Sequence, residues 1–159
     1  MQVDLYEKIW MWASAGLIAL FVGAILFGAG SQAIHPPSHV ETLDPTRLSE
    51  HPEFGSPGVT TRADGSVQVS AVAEMFVFSP DPIEVPAGRP VTFRITSPDL
   101  IHGFQIVGTN VNAMVIPGYV SQLTVTFDRP GEHLIVCNEY CGLLHASMVG
   151  KLVVTGGQP

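Results

Sequence analysis

The chain has 159 residues, a formal net charge of −7 and only 13% charged side chains, about half the share usual in a soluble domain. Its seven basic residues are scattered and form no patch that would neutralise phosphates, which excludes a generic nucleic-acid binder. Lys8 and Glu41 bracket 32 consecutive positions without Asp, Glu, Lys or Arg, and a gap of that length argues against a fully soluble protein.

The first element is a membrane helix. The run from Ile9 to Gly30 is apolar and stays so to Ile34; as a helix, Ile9 to Gly30 is about 33 Å long, enough for a hydrocarbon core of about 30 Å. Tyr6, Trp10 and Trp12 cluster at its start, where amphipathic rings favour the lipid–water interface. Ala15, Ala19 and Gly23 form a small-residue stripe of the kind that lets a second helix approach closely. A cleaved signal would begin with net positive charge and have a shorter apolar core; here Asp4 and Glu7 outnumber Lys8. Residues 1–34 therefore read as a permanent anchor in the lipid bilayer. Lys8 before it and Arg47 after it leave topology unsettled by charge.

Residues 35–59 read as a Pro-rich linker. Pro36 to Gly58 holds five prolines and two glycines with mixed charge and no periodicity, as in an extended connector or an irregular wrap over a partner surface. His35, His39 and His51 read as solvated side chains there.

From residue 60 to 159 the pattern is period two. Val67, Val69 and Ala71, then Val91, Phe93 and Ile95, then Leu123, Val125 and Phe127 alternate with polar residues, as half-buried strands do. Asp64-Gly65, Ser79-Pro80, Ser97-Pro98-Asp99, Pro117-Gly118 and Pro130-Gly131 punctuate them. Short strands with frequent turns predict a mainly β fold, a small antiparallel sandwich or barrel.

The chemistry is concentrated in Cys137-Asn-Glu-Tyr-Cys141-Gly-Leu-Leu-His145-Ala-Ser-Met148. Two thiols, an imidazole and a thioether lie between two expected strands, where a loop can curl around one point. His102 stands at the start of another expected strand and can reach the same end of a sandwich. Thiolate and thioether donors select copper or another soft centre. A mononuclear blue-copper site needs one Cys, two His and a weak Met; this chain has that set plus one Cys. Two thiolates can bridge two copper ions, with one histidine terminal on each, Met148 on one and a loop carbonyl on the other. A Cys137–Cys141 disulfide and a Cys2His2 zinc site also fit the count. His133 reads as a strand or surface residue.

Residues 60–155 resemble the copper-A (CuA) domain of cytochrome c oxidase subunit II, on Cys137-x3-Cys141-x3-His145-x2-Met148 with His102 upstream. The resemblance implies a cupredoxin-type Greek-key β-sandwich with one N-terminal transmembrane helix. It implies two copper ions, bridged by Cys137 and Cys141, with His102 and His145 as terminal ligands, Met148 as the weak ligand and the main-chain carbonyl of Glu139 as a further contact. It also implies a terminal respiratory oxidase in which cytochrome c is the donor, haem in subunit I the acceptor, and oxygen is reduced to water with proton pumping. In many relatives a glutamate at the Glu139 position also binds magnesium at the boundary with subunit I, a feature often missing from B-family relatives.

Two departures stand out. The usual subunit II has a two-helix hairpin, whereas this chain has one span, and the tryptophan-rich strand is replaced by Met75-Phe76-Val77-Phe78. Both are similar to the single-span subunits of B-family haem-copper oxidases, which implies a prokaryotic cell membrane with the C-terminal domain on the outer face. The low charge density suggests donor docking through apolar contact, with Phe76, Phe78, Tyr140 and Leu143 as candidates, although the two phenylalanines equally suit a core. The alternative in another class is a membrane-tethered copper electron shuttle without an oxidase partner.

Overall fold

The computed structural model describes residues 4–31 and 41–156, which form two compact units. His35, His39 and the expected end of the anchor at Ile34 lie outside the described residues.

The first unit is one helix, α1 (Leu5–Ser31), about 40 Å long at 1.5 Å per residue. Asp4 caps it: its Oδ1 accepts the Tyr6 N–H at 3.1 Å and its carbonyl accepts the Lys8 N–H at 3.0 Å, satisfying donors that a helix start leaves open. No proline interrupts it. Trp10, Leu17, Leu20, Phe21 and Phe27 lie exposed along it. A helix apolar on every side suits an apolar surrounding rather than water, and Leu5–Gly30 is long and apolar enough to cross a membrane.

The second unit is a two-sheet β-sandwich. Its strands are β1 (Gly58–Thr61), β2 (Val67–Glu74), β3 (Val77–Ser79), β4 (Ile83–Pro86), β5 (Pro90–Thr96), β6 (His102–Ile106), β7 (Asn112–Val115), β8 (Ser121–Thr126), β9 (Gly131–Val136) and β10 (Val149–Thr155). One sheet runs β1-β2-β5-β8 with β3 also on β2; the other runs β4-β10-β9-β6-β7. Two pairs, β2 with β5 and β4 with β10, are parallel, because the chain repeatedly leaves one sheet for the other before returning.

The period-two pattern places the core. Val91, Phe93 and Ile95 of β5 point between the sheets and are buried, as are Val67, Val69 and Ala71 of β2. Phe104 from the opposite sheet meets Phe93 at 5.7 Å and stands edge-on to Phe78 at 5.6 Å, an arrangement aromatic pairs favour.

The outer face of the first sheet is covered as well. Read from sequence alone, 35–59 is a linker or a wrap over a partner; its described part, from residue 41, lies on the chain's own sheet. The Leu43 N–H donates to the Gly118 carbonyl at 3.1 Å and the Val120 N–H to the Glu41 carbonyl at 3.0 Å. A short 3-10 turn, Pro45–Glu50, follows its Asp44 cap, and Leu48 and Phe54 are buried with Val72 and Val120. Leu48 and Phe54, with Leu43 packed against them, give this otherwise polar stretch something to bury. His51, expected to be solvated, is half-buried instead. Its Nδ1 accepts the N–H groups of Glu53 and Phe54 at 3.2 and 3.3 Å, which fixes the turn.

Arg94 fastens this wrap. Nε and Nη2 donate to Glu53 at 2.7 and 2.9 Å, and Nη2 and Nη1 to Glu41 at 2.7 and 2.9 Å. Burial alone would raise the Glu53 carboxyl, but Arg94 and the Ser70 hydroxyl outweigh it and hold it below the usual carboxylate range.

Candidate metal centre

The sandwich brings three segments to one end. Strand β9 ends at Val136, and β10 returns antiparallel from Val149, opposite it. The Cys137 N–H donates to the Met148 carbonyl at 3.2 Å, so the loop between them is closed at its base. Within it, His145–Ser147 forms a short 3-10 turn. Gly142 has φ +129°, and a Cβ there would sit 3.1 Å from the Phe76 ring, so glycine suits both its backbone and its packing. Strand β6 pairs with β9 through Gln105 and Val136, which sets His102, its first residue, beside the same loop.

The donor atoms converge. Sγ of Cys137 and Sγ of Cys141 are 3.7 Å apart. The Cys137 sulfur lies 4.0 Å from His102 Nδ1 and 3.1 Å from the Glu139 carbonyl oxygen. The Cys141 sulfur lies 3.7 Å from His145 Nδ1 and 3.6 Å from Met148 Sδ. His102, Cys137, Cys141 and Met148 are buried, while His145 is half-buried at the rim. Both cysteines are free, which leaves the expected disulfide alternative unformed. Among the described residues, His102, Cys137 and Cys141 bring ligating atoms within 4.8 Å of one another.

One residue at this centre escaped sequence reasoning. Asp99 Oδ1 lies 2.8 Å from His102 Nε2. An ionised carboxylate only accepts, so Nε2 carries the proton and Nδ1 presents its lone pair to the sulfur side. Burial raises the Asp99 carboxyl, but His102, the N–H groups of Met75 and Leu100 and the Ser97 hydroxyl together hold it below its ordinary value. The readable signal was an acid three residues before a candidate histidine, since ligating histidines commonly donate their second N–H to a carboxylate. Burial also pushes the Cys141 thiol up to about 11, with Cys137 adding to the effect. Without a positive ion at the centre, this sulfur stays protonated near neutrality.

The rest of the rim sorts by exposure. Tyr140 is 74% and Leu143 96% exposed, and the Tyr140 ring lies 5.7 Å from that of His145. Phe78, one of the surface candidates, is in the core instead because β3 pairs with β2 and turns it inward; Phe76 is half-buried against that core. His133 is half-buried on β9, its Nδ1 3.2 Å from the Val107 carbonyl.

The donor chemistry fits copper. Two buried sulfurs, two imidazole nitrogens, a thioether and one carbonyl make a soft set that a hard, oxygen-seeking cation would not select, and the thioether has no use in a zinc site. Each sulfur has its own imidazole, so the set divides into two halves that share only the sulfurs.

Comparison with known proteins agrees with this reading. The family model for the periplasmic domain of cytochrome c oxidase subunit II matches residues 65–155. A cytochrome c oxidase subunit 2 from Thermus thermophilus is 40% identical over 153 residues, covering 94% of this chain and 91% of the relative. A chain of a haem-copper terminal oxidase dimer superposes with a TM-score of 0.72 at 29% identity, covering 94% of this chain and 99% of that one. The periplasmic domain of subunit II of the Bradyrhizobium japonicum cytochrome oxidase, at 19% identity, a TM-score of 0.53 and coverage of 56% and 83%, shares the fold, which is the cupredoxin-type sandwich expected. With the family model spanning more than half of the chain and a relative matched almost end to end, this protein belongs to the cytochrome c oxidase subunit II family, a subunit of the haem-copper oxidase, an oxidoreductase complex.

Proposed function

We propose that this chain is the electron-accepting subunit of its oxidase: it holds two copper ions at the centre just described, takes electrons from cytochrome c and passes them to haem in subunit I. The observation that carries the reading is the division of the donors about the pair of sulfurs 3.7 Å apart, with His102 and the Glu139 carbonyl on the Cys137 side and His145 and Met148 on the Cys141 side. When bound, the copper pair supplies a one-electron acceptor and donor.

The chain's own residues do the rest. Cys137 and Cys141 would hold the copper pair as thiolates, His102 and His145 through their imidazoles, and Met148 and the Glu139 carbonyl as weaker contacts. Burial of both sulfurs keeps water from them, and the closed loop base limits how far the donors move when the charge changes, which keeps the reorganisation on electron transfer small. Asp99 holds the His102 ring. Glu139 presents its carbonyl inward while its side chain is exposed, and that outward carboxylate suits a hard cation such as magnesium where the domain meets subunit I.

Oxygen reduction and proton pumping fall to the partner subunit. Helix α1 serves as a membrane anchor, with residues 1–34 as anchor, 35–59 as connector and 60–159 as the copper domain, on the outer face of a prokaryotic membrane. The test is electron spin resonance of the copper-loaded chain. Hyperfine structure from one electron shared over two copper nuclei supports the reading. A single-copper pattern overturns it in favour of a mononuclear shuttle. Co-purification with a haem-bearing membrane subunit separates an oxidase subunit from a free-standing shuttle.

A further inference from the structure

We propose that Asn138 and Asn112 form a side-chain latch that positions the copper loop against the strand pair carrying His102. Asn138 directly follows Cys137 and is not part of any strand. Its Nδ2 donates to Asn112 Oδ1 at 3.1 Å, across 26 residues of sequence. Asn112 opens β7, where it faces Gln105 of β6, and the first residue of β6 is His102. The latch therefore ties the loop bearing one sulfur of the centre to the hairpin bearing one of its imidazoles.

Gly103 makes room for it. A Cβ at Gly103 would lie 2.7 Å from the Asn138 backbone nitrogen and would overlap its side-chain amide, so Asn138 occupies the space another residue at 103 would fill. This approach brings the Gly103 N–H to 3.4 Å from Cys137 Sγ. A backbone donor aimed at a sulfur stabilises negative charge there, and its distance depends on how closely residue 138 sits on residue 103. Gly103, Asn112, Asn138 and Glu139 border a cleft of about 270 Å³ on the outside of the loop. Asn112 and Asn138 both line this cleft, and their amide pair joins its two sides. Asn138 and Asn112 are thus positioning residues, acting through the Gly103 N–H and the Cys137 sulfur.

The inference rests on the copper reading for its consequence, and the test separates the two. Full-length chain in detergent is prepared as Asn112→Ala, Asn138→Ala and the double variant. In the copper-free, reduced protein, the Gly103 amide proton is expected to shift upfield and exchange faster in each single variant, with the double variant no further displaced. In the copper-loaded protein, release of copper to a chelator is expected to quicken about tenfold in each single variant, the low end for groups that orient metal ligands, and by no more in the double variant, because two halves of one interaction are not additive. The denaturation midpoint of the copper-free protein is expected to move by the same small amount in all three. An unmoved Gly103 amide overturns the latch whether or not copper binds. Additive effects in the double variant, or copper release that tracks loss of the midpoint, overturn it as well. Failure of the parent chain to take up copper overturns the copper reading alone, and the Gly103 amide in the copper-free protein still decides the latch.

Discussion

Asp99 and His102 are joined by a 2.8 Å hydrogen bond from a fully buried imidazole to a carboxylate that also accepts from the Ser97 hydroxyl and the N–H groups of Met75 and Leu100. The carboxylate thereby ties the turn before β6, the start of the Met75–Phe78 segment and the ring of a proposed copper ligand to one point. Asp99→Ala is expected to weaken copper binding by about tenfold or more, as loss of a carboxylate behind a ligating histidine does, and to cost about 1–3 kcal/mol of stability from donors left without a partner. Chelator competition and a denaturant titration measure the two effects. Unchanged copper affinity in the variant would refute the assigned role.

The wrap over residues 41–54 predicts an acid-sensitive part of the fold. Arg94 and Glu53 are only 12% and 22% exposed, and the Glu53 carboxyl is held below its ordinary value. A carboxyl depressed in the folded state binds its proton more weakly there than in the unfolded chain. Its contribution is therefore complete above the unfolded value, about 4.3, and is lost as the pH falls through the folded one. Glu53→Gln is expected to cost about 1–3 kcal/mol at pH 7, between exposed and buried pairs. The gap between variant and parent should narrow below about pH 4. Denaturant midpoints between pH 7 and pH 3 decide it: a gap of constant size contradicts the assignment.

Phe104 is the aromatic centre of the sandwich, in contact with Phe93 and Phe78 and two residues beyond His102. Phe104→Ala is expected to cost about 3–5 kcal/mol through the lost apolar contact and the cavity left behind. Thermal unfolding measures this directly. A loss below about 1 kcal/mol would mean that the two sheets close the gap without it.

Tyr140 and Leu143 are expected to behave in the opposite way. Both are exposed at the rim of the centre, so Tyr140→Ala and Leu143→Ala should change stability by no more than about 0.5 kcal/mol. If electrons arrive by apolar docking, the same variants should slow reduction of the chain by cytochrome c. The rate of the parent should then depend only weakly on ionic strength, since charge steering gives a steep dependence. A steep salt dependence with unaffected variants would place docking elsewhere.

Much of this protein is legible without a structure because its signals are local. A charge-free run before Glu41, alternation in Val91–Ile95 and four metal-binding side chains within Cys137–Met148 each depend on residues near one another in sequence, and each follows from burial, pleat or ligand chemistry acting over a few residues. What only the tertiary structure decided depends on pairing between distant segments. The partnering of β6 with β9 sets His102 4.0 Å from Cys137, and β3 on β2 turns Phe78 inward. Asp99 acquires its part from the histidine it faces. Leu48 and Phe54 turn a Pro-rich stretch into a cover for the sheet, because nothing in their immediate sequence shows that Val72 and Val120 wait to be buried with them. Sequence carries the chemistry of each group and its local spacing; which groups share a sheet, and so which donors share a centre, is settled by strand order and register, where a single residue's slip would turn every side chain to the other face.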